Sequence, residues 1–129
     1  MKLYCTGCKK DVTARLTDGQ EMYPHRKDLY KIPFWVCTCG AFVGCHHKTD
    51  KPTRPLGCLA TQEIKDARKE IHAIIDPLWR SGKIQRNEIY AMISKQIGKT
   101  FHSAEIRTIE EAREVYKVAF VVMRQILNV

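Results

Sequence analysis

The apolar positions of this chain change rhythm once. Up to about residue 60 they come in short runs between polar turns, and from about residue 61 they recur at helical spacing. Ile64, Ala67, Ile71, Ile74, Ile75 and Leu78 share one helix face and predict a helix over about 62–80. Thr61 is placed to cap it, Pro77 to bend it and Ser81-Gly82 to end it. Ile89, Met92, Ile93 and Ile97 predict a second helix over about 86–97, with Gly98 as its stop. Thr108-Ile109-Glu110-Glu111 has the form of a capping box. Beyond it Ala112, Val115, Tyr116, Ala119, Val122, Met123 and Ile126 mark a third helix. None of the three can bury its apolar stripe alone, so they are expected to pack together.

The first region reads as strands and turns. Lys2-Leu3-Tyr4 predicts a short strand, and Asp18-Gly19 a turn between Val12–Leu16 and Met22–Tyr23. Tyr30 to Val36 favours a strand, and Pro33 within it argues for an edge or a bulge. Gly40 to Gly44 can return as the second strand of a hairpin, and 48–57 reads as a loop. The expected fold is α+β: zinc-ribbon-like β-hairpins packed against a C-terminal three-helix bundle. The expected division is 1–60 for the zinc-ribbon-like module and 61–129 for the helical part, the two forming one compact unit.

The module is named for its cysteines. Cys5-Thr6-Gly7-Cys8 is a CxxC and Cys37-Thr38-Cys39-Gly40 a CxC, with 28 residues between the pairs. That interval suits hairpins that bring two turns around one ion. Four thiolates close a tetrahedral zinc site with ~2.3 Å bonds, which is structural rather than catalytic. A redox CxxC would open a helix, and no helical period follows Cys8. Cys5, Cys8, Cys37 and Cys39 are therefore the expected ligands of one Zn²⁺. The CxC spacing forces a tight turn, so Cys45, His46 and His47 stand as substitutes for the fourth ligand at Cys37.

Composition narrows the setting. A chain of 129 residues with 44% apolar residues can bury a core without disulfides. No apolar run approaches the ~20 residues that span a bilayer, and the first residues lack a signal peptide's apolar stretch. No membrane association is expected, and the cytoplasm, where thiols stay reduced, is the expected compartment. The net charge is +8. Residues 1–60 carry ten Lys/Arg against five Asp/Glu, and 61–129 carry twelve against nine, so the excess is denser in the cysteine-bearing part. A basic surface attracts phosphate backbones and acidic proteins alike.

Two further groups can carry chemistry. Cys45-His46-His47 can bind a second metal or polarise a phosphate; the plainer reading is a buried cysteine beside a loop-bonded histidine. His72 and Asp76, four apart, share a helix face with Arg68. Such a row can position a phosphate, act as an acid/base pair, or be a helix-face hydrogen-bond network. Cys58 reads as a buried small residue and Trp79 as a core anchor.

Gly40-Ala41-Phe42-Val43-Gly44-Cys45-His46, Pro55-Leu56-Gly57-Cys58-Leu59-Ala60, Ala67-Arg68, His72 and Asp76-Pro77-Leu78-Trp79 together resemble the zinc-finger-containing domain family of bacteria and their phages. Arg86, Tyr90 and Ile97-Gly98 fit the same pattern. The resemblance implies a zinc-finger-like N-terminal part and often a phage or prophage origin. The family has no assigned activity to carry over. The CxC departs from the CxxC usual there, and residues matching His46, His72 and Asp76 belong to the family pattern.

Three functions compete. The first is an accessory protein that binds nucleic acid through Lys9, Lys10, Arg26, Lys27, Lys31, Lys48, Lys51 and Arg54, with Tyr23, Tyr30 and Phe34 as stacking surfaces. The second is a protein-interaction module or inhibitor that engages a host enzyme. The third is a metal-dependent nuclease using His46, His72 and Asp76. The acidic cluster of a magnesium site is missing and no catalytic set is complete, so the sequence favours a binding protein over an enzyme.

Overall fold

The computed structural model describes residues 1–128, and its contacts divide the chain into two compact units, Met1–Gln62 and Glu63–Val129. The elements are mixed α and β, strands first and long helices after.

In the first unit β1 (Lys2–Cys5) pairs antiparallel with β2 (Lys10–Thr13), so that Cys5 opposes Lys10 across the turn that holds the CxxC. A second sheet has the order β3 (Arg15–Asp18), β4 (Pro33–Val36), β5 (Phe42–Gly44), all antiparallel. The hairpin expected around Cys37–Gly40 is present as β4 and β5. Two local expectations are refined. The turn expected at Asp18-Gly19 takes the form of a single-turn helix, α1 (Gly19–Met22), which Asp18 caps, its Oδ1 accepting from Glu21 N at 3.2 Å. Gly19 is there for room, since a Cβ on it would lie 1.8 Å from the Leu29 carbonyl oxygen. Pro33 does not mark an edge, because β4 is the central strand. Pro33 is its first residue, where its missing N–H interrupts no ladder within the strand. Cys5, Ala14, Cys37, Ala41, Val43 and Leu59 form this unit's buried core.

The second unit takes in all but the first residue of α2 (Gln62–Arg80), with α3 (Arg86–Ile97) and α4 (Ile109–Leu127), and the three match the predicted helices closely. Helix α2 runs on through Pro77, which lies in its last turn. Gly98 closes α3 in the left-handed region, at φ 77°. Thr108 caps α4, its Oγ1 accepting from Glu111 N at 3.0 Å, while the Glu111 carboxylate turns back to Arg107 N at 3.3 Å. The apolar stripes meet in one core, with Ile71, Ile75, Ile89, Ile93, Ala119 and Val122 excluded from solvent. Among the described residues no helix is long and apolar enough to cross a membrane.

Candidate metal centre

The CxxC turn rises directly from β1. Lys9, at φ 59°, takes the left-handed conformation that reverses the chain, and Lys9 N donates to Cys5 O at 2.8 Å. The same turn aims Cys8 N at Cys5 Sγ, 3.4 Å away. The CxC turn is tighter: Gly40 N donates to Cys37 O at 2.9 Å and Cys37 N to Ala41 O at 2.8 Å.

These two turns bring four sulfurs together. Cys5, Cys8, Cys37 and Cys39 have Sγ atoms all within 4.8 Å of one another. Cys5 and Cys39 are 3.5 Å apart, and Cys8 and Cys37 are 3.7 Å apart. Thiolates bonded at ~2.3 Å to a tetrahedral ion are separated by about 3.8 Å, so the donors have the spacing and softness that zinc takes. The four cysteines form a single structural zinc site. Cys37, which the CxC spacing left open, is in the group, and Cys45, His46 and His47 are not.

Protonation within the cluster is uneven. Burial pushes the Cys5 thiol up. Cys8 is pushed up to about 12, chiefly by its hydrogen bond to the Cys37 sulfur. Burial opposes ionisation of Cys37 as well. The Cys39 backbone N–H and the thiols of Cys39, Cys8 and Cys5 overcome it and hold Cys37 down to about 7. Metal binding must displace the thiol protons that remain.

Cys45 is buried and burial raises its thiol. His46 N donates to Arg54 O at 2.8 Å, its carbonyl accepts from Thr49 Oγ1 at 2.6 Å, and His47 Nδ1 lies 3.3 Å from Cys45 O. The trio is a loop-bonded corner. Cys58 is buried, as expected.

His46 belongs to the first unit and His72 and Asp76 to the second. His72 Nδ1 is 3.3 Å from Asp76 Oδ1, which also accepts from Trp79 Nε1 at 3.0 Å. Burial alone would raise the Asp76 carboxyl, but the Trp79 and His72 hydrogen bonds hold it below its ordinary value. Arg68 does not join this pair: its Nη2 donates to Ala104 O at 3.0 Å and Ile106 O at 2.7 Å. A residue that the sequence did not single out completes the row, since His72 Nε2 lies 2.9 Å from Ser103 Oγ.

All eight basic residues named for nucleic acid are exposed. Arg26 is held by Asp28 at 2.8 Å, whereas the other seven form no ion pair among the described residues. Of the expected stacking rings, Phe34 is buried, because its strand turns it inward against Tyr23 and Phe42. Tyr23 keeps an exposed edge, and Tyr30 is half-buried with its hydroxyl on Pro24 O.

A family model described as a zinc-finger-containing domain matches residues 1–125. No curated protein and no solved structure matches the chain.

Proposed function

The chain belongs to the zinc-finger-containing domain family, and on that premise we propose that it is a zinc-stabilised accessory protein of bacteria or their phages that binds nucleic acid. The supporting observation is the set of exposed, unneutralised cations on the zinc-bearing unit: Lys9, Lys10, Lys27, Lys31, Lys48, Lys51 and Arg54. The zinc holds the cysteine turn that carries Lys9 and leads into Lys10; a closed four-thiolate site is structural rather than a seat of chemistry. Cations on a rigid support replace the counterions condensed on phosphate, so affinity falls steeply as salt rises. The test is binding of labelled single- and double-stranded oligonucleotides at ~50 and ~200 mM salt. Paired charge reversals at Lys9/Lys10 and Lys48/Lys51 should flatten the salt dependence. No binding at the lower salt would remove the reading.

A second reading, a module that docks on a host protein, has its own observation. Tyr116, Phe120, Val121 and Leu127 are exposed along α4, and grouped exposed apolar side chains can mark a docking surface. A stoichiometric partner whose capture is lost on Phe120→Asp, with oligonucleotide binding unchanged, would favour it.

A further inference from the structure

The second unit contains side chains connected as a nucleophile, a base and an orienting carboxylate. The chain has three serines, Ser81, Ser94 and Ser103. Ser81 Oγ donates to Leu78 O at 2.8 Å and Ser94 Oγ to Tyr90 O at 2.7 Å, so both protons are committed to backbone carbonyls. Ser103 differs, with its Oγ 2.9 Å from the imidazole Nε2 of His72. On the far side of the ring, Nδ1 is 3.3 Å from Asp76 Oδ1.

The direction of this row follows from chemistry. An ionised carboxylate can only accept, so His72 Nδ1 carries the ring proton and donates it to Asp76. Nε2 of the neutral ring is then an acceptor, and the Ser103 hydroxyl donates to it. Asp76 thereby selects the tautomer that a general base needs. Asp76 is itself fixed by the Trp79 indole N–H at 3.0 Å. Arg68, one turn before His72, holds the Ala104 and Ile106 carbonyls and so ties the turn bearing Ser103 to α2. It also brings a positive charge to that turn. The His72 and Asp76 side chains are 29% and 19% exposed, shielded but reachable.

We propose that Ser103, His72 and Asp76 form a serine acyl-transfer site that hydrolyses carboxylic esters. Ser103 Oγ bonds to the ester carbonyl carbon as its proton passes to His72 Nε2. The adduct collapses, the bond to the alcohol oxygen breaks, and Nε2 returns the proton to the departing alcohol. Water then attacks the acyl-serine and gives a proton to Nε2. The acyl–Oγ bond breaks, Ser103 recovers that proton, and a carboxylic acid leaves. Asp76 is a positioning residue. None of these residues belongs to the proposed nucleic-acid surface, so the two proposals stand or fall separately.

The test is reaction of the zinc-loaded full chain with a fluorophosphonate, followed by peptide mapping. Oγ attacks phosphorus, fluoride leaves, and the hydroxyl proton goes to His72 and then to water. Ser103 should be modified and Ser81 and Ser94 spared. His72→Gln should slow labelling by roughly 10²-fold or more, the usual range for loss of a general base. Asp76→Asn should also slow labelling, and Asp76→Glu, which keeps a carboxylate to orient the ring, should restore part of the rate; a purely structural role would not show that rescue. Circular dichroism and zinc content establish that each variant is folded. Labelled protein should no longer hydrolyse p-nitrophenyl acetate. An unmodified Ser103 in the folded wild-type chain, equal labelling of all three serines, or wild-type labelling of a folded His72→Gln would each overturn the proposal. The first two need no variant.

Discussion

Gly7 and Cys39 come from opposite turns of the metal centre, and a Cβ on Gly7 would lie 3.1 Å from the Cys39 sulfur. The same Cβ would meet Thr61 Cγ2 at 3.0 Å and leave Cys5 Sγ at 3.8 Å. A side chain at Gly7 would thus crowd the Cys39 sulfur and Thr61 unless both gave way by a few tenths of an ångström. Gly7→Ala should fold more weakly and bind zinc less tightly, by the ~1–3 kcal/mol typical of a forced steric shift. Competition with a chromophoric chelator measures the affinity. Unchanged affinity would show that the turns open freely.

Metal removal should act on one unit more than the other. The first unit's core includes Cys5 and Cys37, two of its ligands, whereas the helices share a core without cysteine. The protein should carry one zinc per chain. Chelation should collapse the dispersion of the amide resonances of residues 1–62 while most helical circular dichroism survives. Collapse of both signals together would contradict this.

Glu21 should titrate far below the ordinary value of a glutamate. Arg15 donates to it at 3.0 and 2.7 Å and Thr17 Oγ1 also donates to it, holding its pKa at about 2. A depressed folded pKa means that the pair contributes above the unfolded value of ~4.3 and that this is lost as pH falls through about 2. Both side chains are largely exposed, so the effect on stability is small. Carboxyl resonances followed against pH should place Glu21 near that value. Arg15→Ala should move it back toward the ordinary range.

Ile93 tests the helical core. It is fully buried where the three stripes meet, so Ile93→Ala should cost about 2–5 kcal/mol, as cavity-forming truncations do. Thr108→Ala removes only the cap on α4 and should cost about 1 kcal/mol. Urea titrations followed at 222 nm separate the two. Equal costs would mean that the core at Ile93 closes over the lost volume.

What could be read in advance was what is encoded locally. The 3.6-residue recurrence of Ile64, Ile71, Ile75 and Leu78, and the Thr108–Glu111 cap, specify helices from neighbours alone. The four cysteines were legible because metal chemistry restricts residue type and spacing. The form of the turn at Asp18-Gly19 was not legible because Gly19 answers to a carbonyl from Leu29, a tertiary reason with no local mark. Pro33 misled because strand order depends on where β3 returns. Ser103 gave no signal: it lies 31 residues beyond His72, in a segment without periodicity.

Cys39 is exposed while Cys5 and Cys37 are buried, so the metal site has an open side and a sealed one. Exchange of the ion is then directional. An incoming competitor ligand, or an oxidant, reaches the Cys39 sulfur first, and the buried pair lets go last. Removal of zinc should therefore begin at Cys39, and a bulky chelator should strip the metal more slowly than a small one of equal affinity.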